Sequence, residues 1–279
     1  HRGPDFYELY ARVIERAKYV FQTKGDVFVL TCSGTGGVDC SIGNAITKGD
    51  RVVVPIFGLF GERMRDIVLR YGGVPIEIKK EWGDGLSASE VEDVLRREKE
   101  VKAIALVCNE TSTGVCVREL SEIGKLAQEY GALLIVDAVS MLGGDELPVD
   151  DWGIDLCVTG SQKCLACPPG LALISVSKRA WEAIEKNPSR PYYFDLTAYR
   201  RYLEERTETP FTPALPLFYA LDEALALIEE EGLEKRFERH RRCAQAFYKA
   251  LEHAGMSPIP KPEHRSNTVI CVEPPPSVR

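Results

Sequence analysis

Three segments of the 279-residue chain place reactive or charged groups at the ends of apolar runs. The run 133–136 ends at Asp137, and the run 156–159 leads into Gly160-Ser161-Gln162-Lys163. A glycine-rich turn, Ser33-Gly34-Thr35-Gly36-Gly37, follows the run 27–31. Continuous apolar runs are typical of buried parallel strands, and ligands gather beyond the carboxyl ends of such strands. We therefore expect Asp137, Lys163 and the glycine-rich turn to share one site.

Each of these groups suits a different part of one cofactor. An amine that condenses with an aldehyde must be unprotonated, which a confined site favours, so Lys163 is a candidate to carry a cofactor as a Schiff base. A carboxylate such as Asp137 keeps a neighbouring pyridine nitrogen protonated and lets the ring accept electrons. The amides that open the helix after Ser33 can bind a phosphate. Together the groups predict pyridoxal phosphate (PLP), whereas each alone is also explained by a loop cap, an exposed lysine or a turn.

The glycine-rich turn also allows a noncatalytic nucleotide-binding module. It matches neither common nucleotide motif, because no Gly-Lys-Ser/Thr follows it and Asp39 stands where the dinucleotide fingerprint has its third glycine. Such a module would also leave Asp137 and Lys163 at the ends of two strands without a role. We therefore favour PLP chemistry.

The elements that position these groups follow from the alternation of short apolar runs with longer amphipathic stretches. This alternation predicts an α/β fold with a mostly parallel, doubly wound sheet and helices on both faces. The segment Ser87-Ala88-Ser89-Glu90 offers a capping box at the start of one helix. Predicted strands span residues 27–31, 51–56, 74–78, 103–108, 132–139, 156–159 and 172–176, and predicted helices span residues 58–71, 87–98 and 117–130.

The pattern of the chain changes beyond Lys186. Residues 1–214 form the predicted large cofactor-binding domain, which includes a Pro- and Tyr-rich irregular stretch at 187–194. An amphipathic pattern at 215–253 predicts one long connecting helix. Residues 254–279, with a predicted strand at 268–272, indicate the start of a small C-terminal α/β domain that is not completed. Because the first residue is His1, we expect the native start to lie upstream.

Composition and charge limit the possible partners and the compartment. The chain carries 35 basic and 42 acidic residues, a net charge of −7, and no basic block interleaved with aromatic residues, so a nucleic-acid partner is not expected. Its longest apolar runs fall short of the ~20 residues of a membrane span. Nine scattered cysteines fit a reduced, cytoplasmic protein. Cys164 and Cys167 form a lone CxxC without the second pair that zinc would need, so we interpret them as packing residues and expect no metal site.

Four motifs, in this order, resemble those of the class V aminotransferases, and within that class those of serine–pyruvate and alanine–glyoxylate aminotransferases. The resemblance covers nearly the whole chain. It implies a fold type I PLP enzyme that transfers an amino group between a small amino acid, serine or alanine, and a 2-oxo acid, pyruvate or glyoxylate. The motifs are Ser33-Gly34-Thr35-Gly36, Asn109-Glu110-Thr111-Ser112-Thr113-Gly114, Val136-Asp137-Ala138-Val139-Ser140 and Gly160-Ser161-Gln162-Lys163.

The resemblance also implies a role for individual residues. Lys163 matches the Schiff-base lysine, and Asp137 matches the partner of the pyridinium nitrogen. Val139 and Phe60 match the side chains on the two faces of the cofactor ring, and Thr111 matches a hydroxyl near the ring. Contacts on the phosphate side are implied for Ser33, Gly34, Thr35 and Gln162.

A second subunit is part of what the resemblance implies. Thr209 and Thr212 fall where the family sends a loop into the phosphate site of the neighbouring subunit, which implies a homodimer with shared active sites. The family's arginine for the substrate carboxylate is expected beyond Arg279, and a pocket-lining segment is expected before His1.

Some positions depart from the family pattern and leave the substrate open. Cys108 and Asn109 stand where the animal enzymes tend to have His-Gly, and Thr209 stands where a tyrosine often contacts phosphate. The alternative is another class V reaction, such as cysteine desulfuration or a lyase reaction. Desulfuration needs a mobile cysteine late in the chain, but Cys243 lies in a helical pattern and Cys271 in a predicted strand, so transamination is favoured.

Overall fold

A seven-stranded sheet forms the centre of the molecule, seen in a computed structural model that describes residues 2–274. The strands in chain order are β1 (Asp26–Leu30), β2 (Arg51–Ile56), β3 (Val74–Lys79), β4 (Val101–Val107), β5 (Asn109–Glu110), β6 (Val115–Cys116), β7 (Leu133–Asp137), β8 (Leu156–Gly160), β9 (Ala172–Val176), β10 (Ser257–Pro258) and β11 (Val272–Glu273). The helices are α1 (Pro4–Phe21), α2 (Gly34–Ala45), α3 (Leu59–Arg70), α4 (Ala88–Arg97), α5 (Leu120–Glu129), α6 (Lys178–Lys186), α7 (Leu196–Arg206), α8 (Leu215–Glu231) and α9 (Leu233–His253).

The strand directions bring the ends of six strands to one edge. The order in the sheet is β1-β9-β8-β7-β4-β2-β3, and β3, β2, β4, β7 and β8 pair in parallel. Strand β9 is antiparallel to both β8 and β1, so β1 runs in the same direction as the parallel strands. No helix separates β8 from β9, and a short connection of this kind gives antiparallel neighbours. The prediction of a mostly parallel sheet is confirmed.

Helices cover both faces of the sheet, as the continuous apolar runs predict. In β1, Val27 and Val29 point to one face, while Phe28 and Leu30 point to the other. Apolar residues of α1, α4, α5 and α8 pack on the first face. Those of α2, α3, α6 and α7 pack on the second.

Local signals account for where several elements begin. The predicted capping box is confirmed, because Ser87 Oγ accepts from the amide of Glu90 and Glu90 Oε2 accepts from the amide of Ser87. Pro4 occupies the first turn of α1, where its missing N–H has no cost. Asp195 caps α7 by accepting from the amide of Thr197.

Two predicted elements are wrong. The single helix at 215–253 is two helices, because Gly232 adopts a φ of 79° and ends α8 before α9 begins. The strand at 268–272 is absent: Ser266 Oγ accepts from the amides of Thr268 and Val269, which takes these donors away from strand pairing. The strand at this point is instead β11, paired with β10.

Helix α8 packs along α1 in the main core, while the domain boundaries at 214 and 253 stay predictions. The last residues of the predicted small domain, 275–279, lie outside the described part. Within residues 2–274, no helix has both the length and the apolar composition needed to cross a bilayer. In the same residues, no group of three or more His, Cys, Asp or Glu side chains is arranged to hold a metal ion.

Candidate active site

A cavity of about 220 Å³ lies at the edge of the sheet where the six strands end. It brings together nine of the residues that the sequence indicates, from five different strand ends. A larger groove of about 1090 Å³ beside α1 and Gly232 contains none of them. The cavity is lined by Ser33, Gly34, Thr35, Phe60, Arg63, Val107, Asn109, Thr111, Asp137, Val139, Gln162 and Lys163.

The start of α2 lines one end of this cavity with groups that can bind an anion. Ser33 is the N-cap, and its Oγ accepts from the amide of Gly36 at 3.4 Å. The other amides of the first turn have no acceptor within the helix and can donate to a bound anion. A Cβ on Gly34 would lie 2.7 Å from Val139 Cγ2, and one on Gly37 would lie 2.6 Å from Val158 Cγ1. Glycine is therefore needed at both positions for the helix to approach the sheet so closely.

Asp137 ends β7 and is partly buried in the cavity. Burial raises the pKa of its carboxyl to about 6, opposed by the hydrogen bond that Oδ1 accepts from the Val139 amide at 2.9 Å. The positive charges of Arg63 and Lys163 also oppose this rise in pKa. A cationic group beside Asp137 would therefore favour its ionised form further.

The loop after β8 holds Lys163 at the mouth of the cavity. Ser161 fixes this loop, since its Oγ donates to the carbonyl of Pro168 at 2.7 Å and accepts from the amide of Leu171 at 3.3 Å. Arg236 of α9 donates to the carbonyl of Cys164 at 2.6 Å. The Lys163 side chain itself is exposed, so the described chain alone does not provide the confined lysine site that the sequence led us to expect.

Phe60 is held by groups that come from the neighbouring strand end. The N-cap of α3 is Gly58, which has no side chain to cap the helix. Instead, the fully buried carboxylate of Glu110 accepts from the amide of Phe60 at 3.1 Å, and Ser112 Oγ accepts from the amide of Leu59 at 2.9 Å. A Cβ on Gly58 would lie 2.4 Å from Glu110 Cγ. The β5–β6 hairpin thus caps α3 and fixes the aromatic wall of the cavity.

Three cavity residues had no assigned role from the sequence: Val107, Arg63 and Asn109. Arg63 donates from Nη1 to Thr35 Oγ1 at 3.0 Å, and its Cζ lies 4.8 Å from the centre of the Phe60 ring. The sequence contained a signal for this position, because residues three apart on a helix lie on the same face, and Arg63 follows the predicted ring contact Phe60 by three residues. Asn109 is buried and donates from Nδ2 to Ser140 Oγ at 2.9 Å and to Thr268 Oγ1 at 3.1 Å, which ties the cavity to the segment before β11.

Thr209 and Thr212 are the two indicated residues that do not line this cavity. Thr209 is buried, and its hydroxyl donates to the carbonyl of Phe211 at 2.7 Å. Thr212 is exposed. Their contact with a neighbouring subunit stays a prediction.

The cysteines near the cavity carry no activated thiol. Cys108 is fully buried against Met141, and burial raises the pKa of its thiol. Burial likewise raises the pKa of Cys164 and Cys167 to about 11. Cys243 lies in α9 as expected, but Cys271 precedes β11 instead of lying within a strand, and its Sγ donates to the carbonyl of Thr111.

An anion-binding helix start, a carboxylate and a lysine at one edge of a mostly parallel sheet define a fold type I PLP-dependent enzyme. The family model described as aminotransferase class-V matches residues 1–275. The chain belongs to this family and is a PLP-dependent aminotransferase.

Named relatives support the family assignment. An uncharacterized aminotransferase of Methanocaldococcus jannaschii is 47% identical over 270 residues, which cover 96% of this chain and 70% of the relative. The serine–glyoxylate aminotransferase of Methylorubrum extorquens is 37% identical over 286 residues, which cover 98% of this chain and 70% of the relative. The crystal structure of alanine–glyoxylate aminotransferase from Nostoc sp. superposes with a TM-score of 0.95 at 34% identity, covering 99% of this chain and 74% of that one.

Proposed function

We propose that this aminotransferase binds PLP through Lys163 and moves the amino group of serine or alanine to glyoxylate or pyruvate. The observation that carries the proposal is that Lys163, Asp137 and the first turn of α2 line one cavity, although they lie far apart in the chain. The names of the relatives support this substrate class, since they include serine–glyoxylate and alanine–glyoxylate aminotransferases.

The residues of the cavity fit the cofactor. The first turn of α2 suits the phosphate, because its amides can donate to anionic oxygens and Gly34 leaves no side chain in the way. Phe60 and Val139 offer apolar surfaces for a planar ring. Asp137 supplies the carboxylate that a pyridinium nitrogen requires. We also assign Thr111 and Gln162 to this site, at the ring and phosphate side respectively.

PLP supplies an aldehyde that condenses with amines and a ring that accepts the electron pair released at the substrate α-carbon. With the cofactor bound, the amine of Lys163 would act as the general base that takes the proton from the substrate α-carbon and as the acid that returns a proton. Such positioned proton transfer typically contributes ~10²–10⁴ in rate. Asp137 would hold the proton on the ring nitrogen. Hydrolysis by one water molecule would release the donor as a 2-oxo acid, and an acceptor 2-oxo acid would then take up the amino group with release of one water.

We propose a homodimer with shared active sites and a cytoplasmic location. Large apolar side chains are exposed on the described surface: Leu59, beside the cavity residue Phe60, is 47% exposed, and Tyr192 is 86% exposed. Tyr192 also contacts Phe211, next to Thr212, so the proposed contact residue borders an aromatic surface. All nine cysteines are free thiols, which supports a reducing compartment.

The Lys163 assignment is tested by borohydride reduction of the protein with PLP, followed by peptide mass mapping. We expect wild-type protein to carry a reduced cofactor adduct on Lys163 and Lys163→Arg to carry none there, while Lys178→Arg, at the start of α6, behaves as wild type. A donor–acceptor panel then follows conversion of PLP to pyridoxamine phosphate. Full transaminase activity in Lys163→Ala would refute the role of Lys163, and sulfide release from cysteine without 2-oxo acid exchange would favour desulfuration.

A further inference from the structure

Arg63 occupies a defined place at the rim of the cofactor cavity. It follows Phe60 by three residues on α3, so both side chains lie on the same face of the helix. Its guanidinium lies over the Phe60 ring, with 4.8 Å from Cζ to the ring centre, and Nη1 donates to Thr35 Oγ1 at 3.0 Å. Two independent contacts therefore hold an exposed side chain that would otherwise be free to rotate.

Arg63 makes no ion pair among the described residues, although its charge acts at longer range on the Asp137 carboxyl and opposes the rise in the pKa of that group. Within residues 2–274, no ion pair joins its guanidinium to an Asp or Glu side chain, whereas Arg65 on the same helix pairs with Asp66 at 2.8 Å. The cations that line the cavity are Arg63 and Lys163. Since Lys163 uses its amine to hold the aldehyde in the proposed function, Arg63 is the cation that remains to offset a phosphate dianion.

Thr35 links the Arg63 guanidinium to the start of α2. A hydroxyl has one proton and two lone pairs, so when Thr35 Oγ1 accepts from Arg63, its own proton is left to donate elsewhere. Thr35 lies in the first turn of α2, beside the amides that suit an anion. One end of the cavity thus holds three kinds of hydrogen-bond donor: the Arg63 guanidinium, the Thr35 hydroxyl and these amides.

We propose that Arg63 is an anion-binding residue of the cofactor site, which makes the protein select the phosphorylated cofactor over its unphosphorylated form. The inference rests on the proposed function, because it takes PLP to be the ligand of this cavity. Arg63 acts on the phosphate through its charge and through the orientation of the Thr35 hydroxyl.

The test compares two ligands that differ only in the phosphate. The full chain, stripped of cofactor, is titrated with PLP and with pyridoxal, and dissociation constants are read from absorbance. The variants are Arg63→Gln, which removes the charge, Arg63→Lys, which keeps it, and Arg65→Gln as a control on the same helix. Because Arg63 is exposed, we expect Arg63→Gln to weaken PLP by about tenfold, about 1.4 kcal/mol. Pyridoxal binding should stay within about twofold, and Arg63→Lys should recover most of the loss.

Each other outcome overturns the inference in an identifiable way. If Arg63→Gln weakens PLP and pyridoxal equally, Arg63 acts by holding the Phe60 ring instead of by binding phosphate. If cofactor affinity is unchanged but KM for the amino acid rises, the anion bound by Arg63 is the substrate carboxylate. If wild-type protein binds no PLP at Lys163, the proposed function fails, whereas wild-type binding with unchanged selectivity in Arg63→Gln refutes only this inference.

Discussion

Replacing Asp137 by Asn should stabilise the cofactor-free protein while it impairs catalysis. Burial raises the pKa of the Asp137 carboxyl from 3.8 to about 6, so the folded protein without cofactor favours the protonated acid more than the unfolded chain does. A raised pKa of this kind contributes stability below the unfolded value, and this contribution is lost as pH rises through the folded value. Asn keeps the acceptor for the Val139 amide but cannot ionise.

The shift sets the magnitude of the expected effect. At 1.36 kcal/mol for each pKa unit, ionising Asp137 costs the folded state at most about 3 kcal/mol. The free energy of unfolding of Asp137→Asn should therefore exceed that of wild type, and this difference should grow by up to about 3 kcal/mol as the pH rises from roughly 4 to 7. Below this window the difference between the two proteins should no longer change with pH.

Urea unfolding of cofactor-free protein across this pH range measures the effect. Asp66→Asn on the exposed side of α3 controls for the loss of one negative charge. With PLP bound the order should reverse, because the ring nitrogen stabilises the carboxylate, and kcat of Asp137→Asn should fall by on the order of 10²–10³. A cofactor-free Asp137→Asn protein that is less stable than wild type at neutral pH, or a difference without pH dependence, would refute this account.

Two other predictions test the packing around the cavity. Gly58→Ala places a Cβ 2.4 Å from Glu110 Cγ and should lower the free energy of unfolding by about 1–3 kcal/mol and weaken PLP binding, whereas Gly3→Ala, with open space around its Cα, should change neither. Unchanged stability in Gly58→Ala would show that Glu110 can move without cost. Cys243 is the exposed thiol among the described cysteines, so an aromatic disulfide reagent should react with it first, and Cys243→Ser should remove this fast phase. Persistence of the fast phase would place the accessible thiol elsewhere.

The sheet was predictable because its strands are buried on both faces. Continuous apolar runs mark them, and each prediction differs from the observed strand by only a few residues, as at β4 and β7. Helix α1 lies outside the predicted elements although Phe6, Leu9 and Val13 follow helical spacing and are buried. The division of α8 from α9 was also readable, since Gly232 interrupts an otherwise regular pattern.

The sequence predicted those residues of the candidate site that directly follow an apolar run, but not the contacts between different strand ends. Asp137 and Lys163 terminate apolar runs, which is a local signal. The contact of Arg63 with Thr35 and the capping of α3 by Glu110 depend instead on which strand ends are neighbours in the sheet. No local pattern gives that order, because β2 pairs with β4 only in the folded sheet. The loop that holds Thr209 also depends on a contact between residues far apart in the sequence, since Arg2 donates to the carbonyl of Thr209 at 2.9 Å.

The position of β9 between β8 and β1 has a consequence for how the protein acquires its cofactor. Strand β1 leads into the first turn of α2, the proposed phosphate end of the cavity, and β8 leads into Lys163. These strands do not touch, because β9 separates them. The two ends of the cavity therefore reach their final spacing only after β9, the last strand of the sheet in the chain, has inserted. Contacts over such long sequence separations form late and slowly during folding. Acquisition of cofactor colour during refolding would then report completion of the sheet, and not the earlier collapse of the chain.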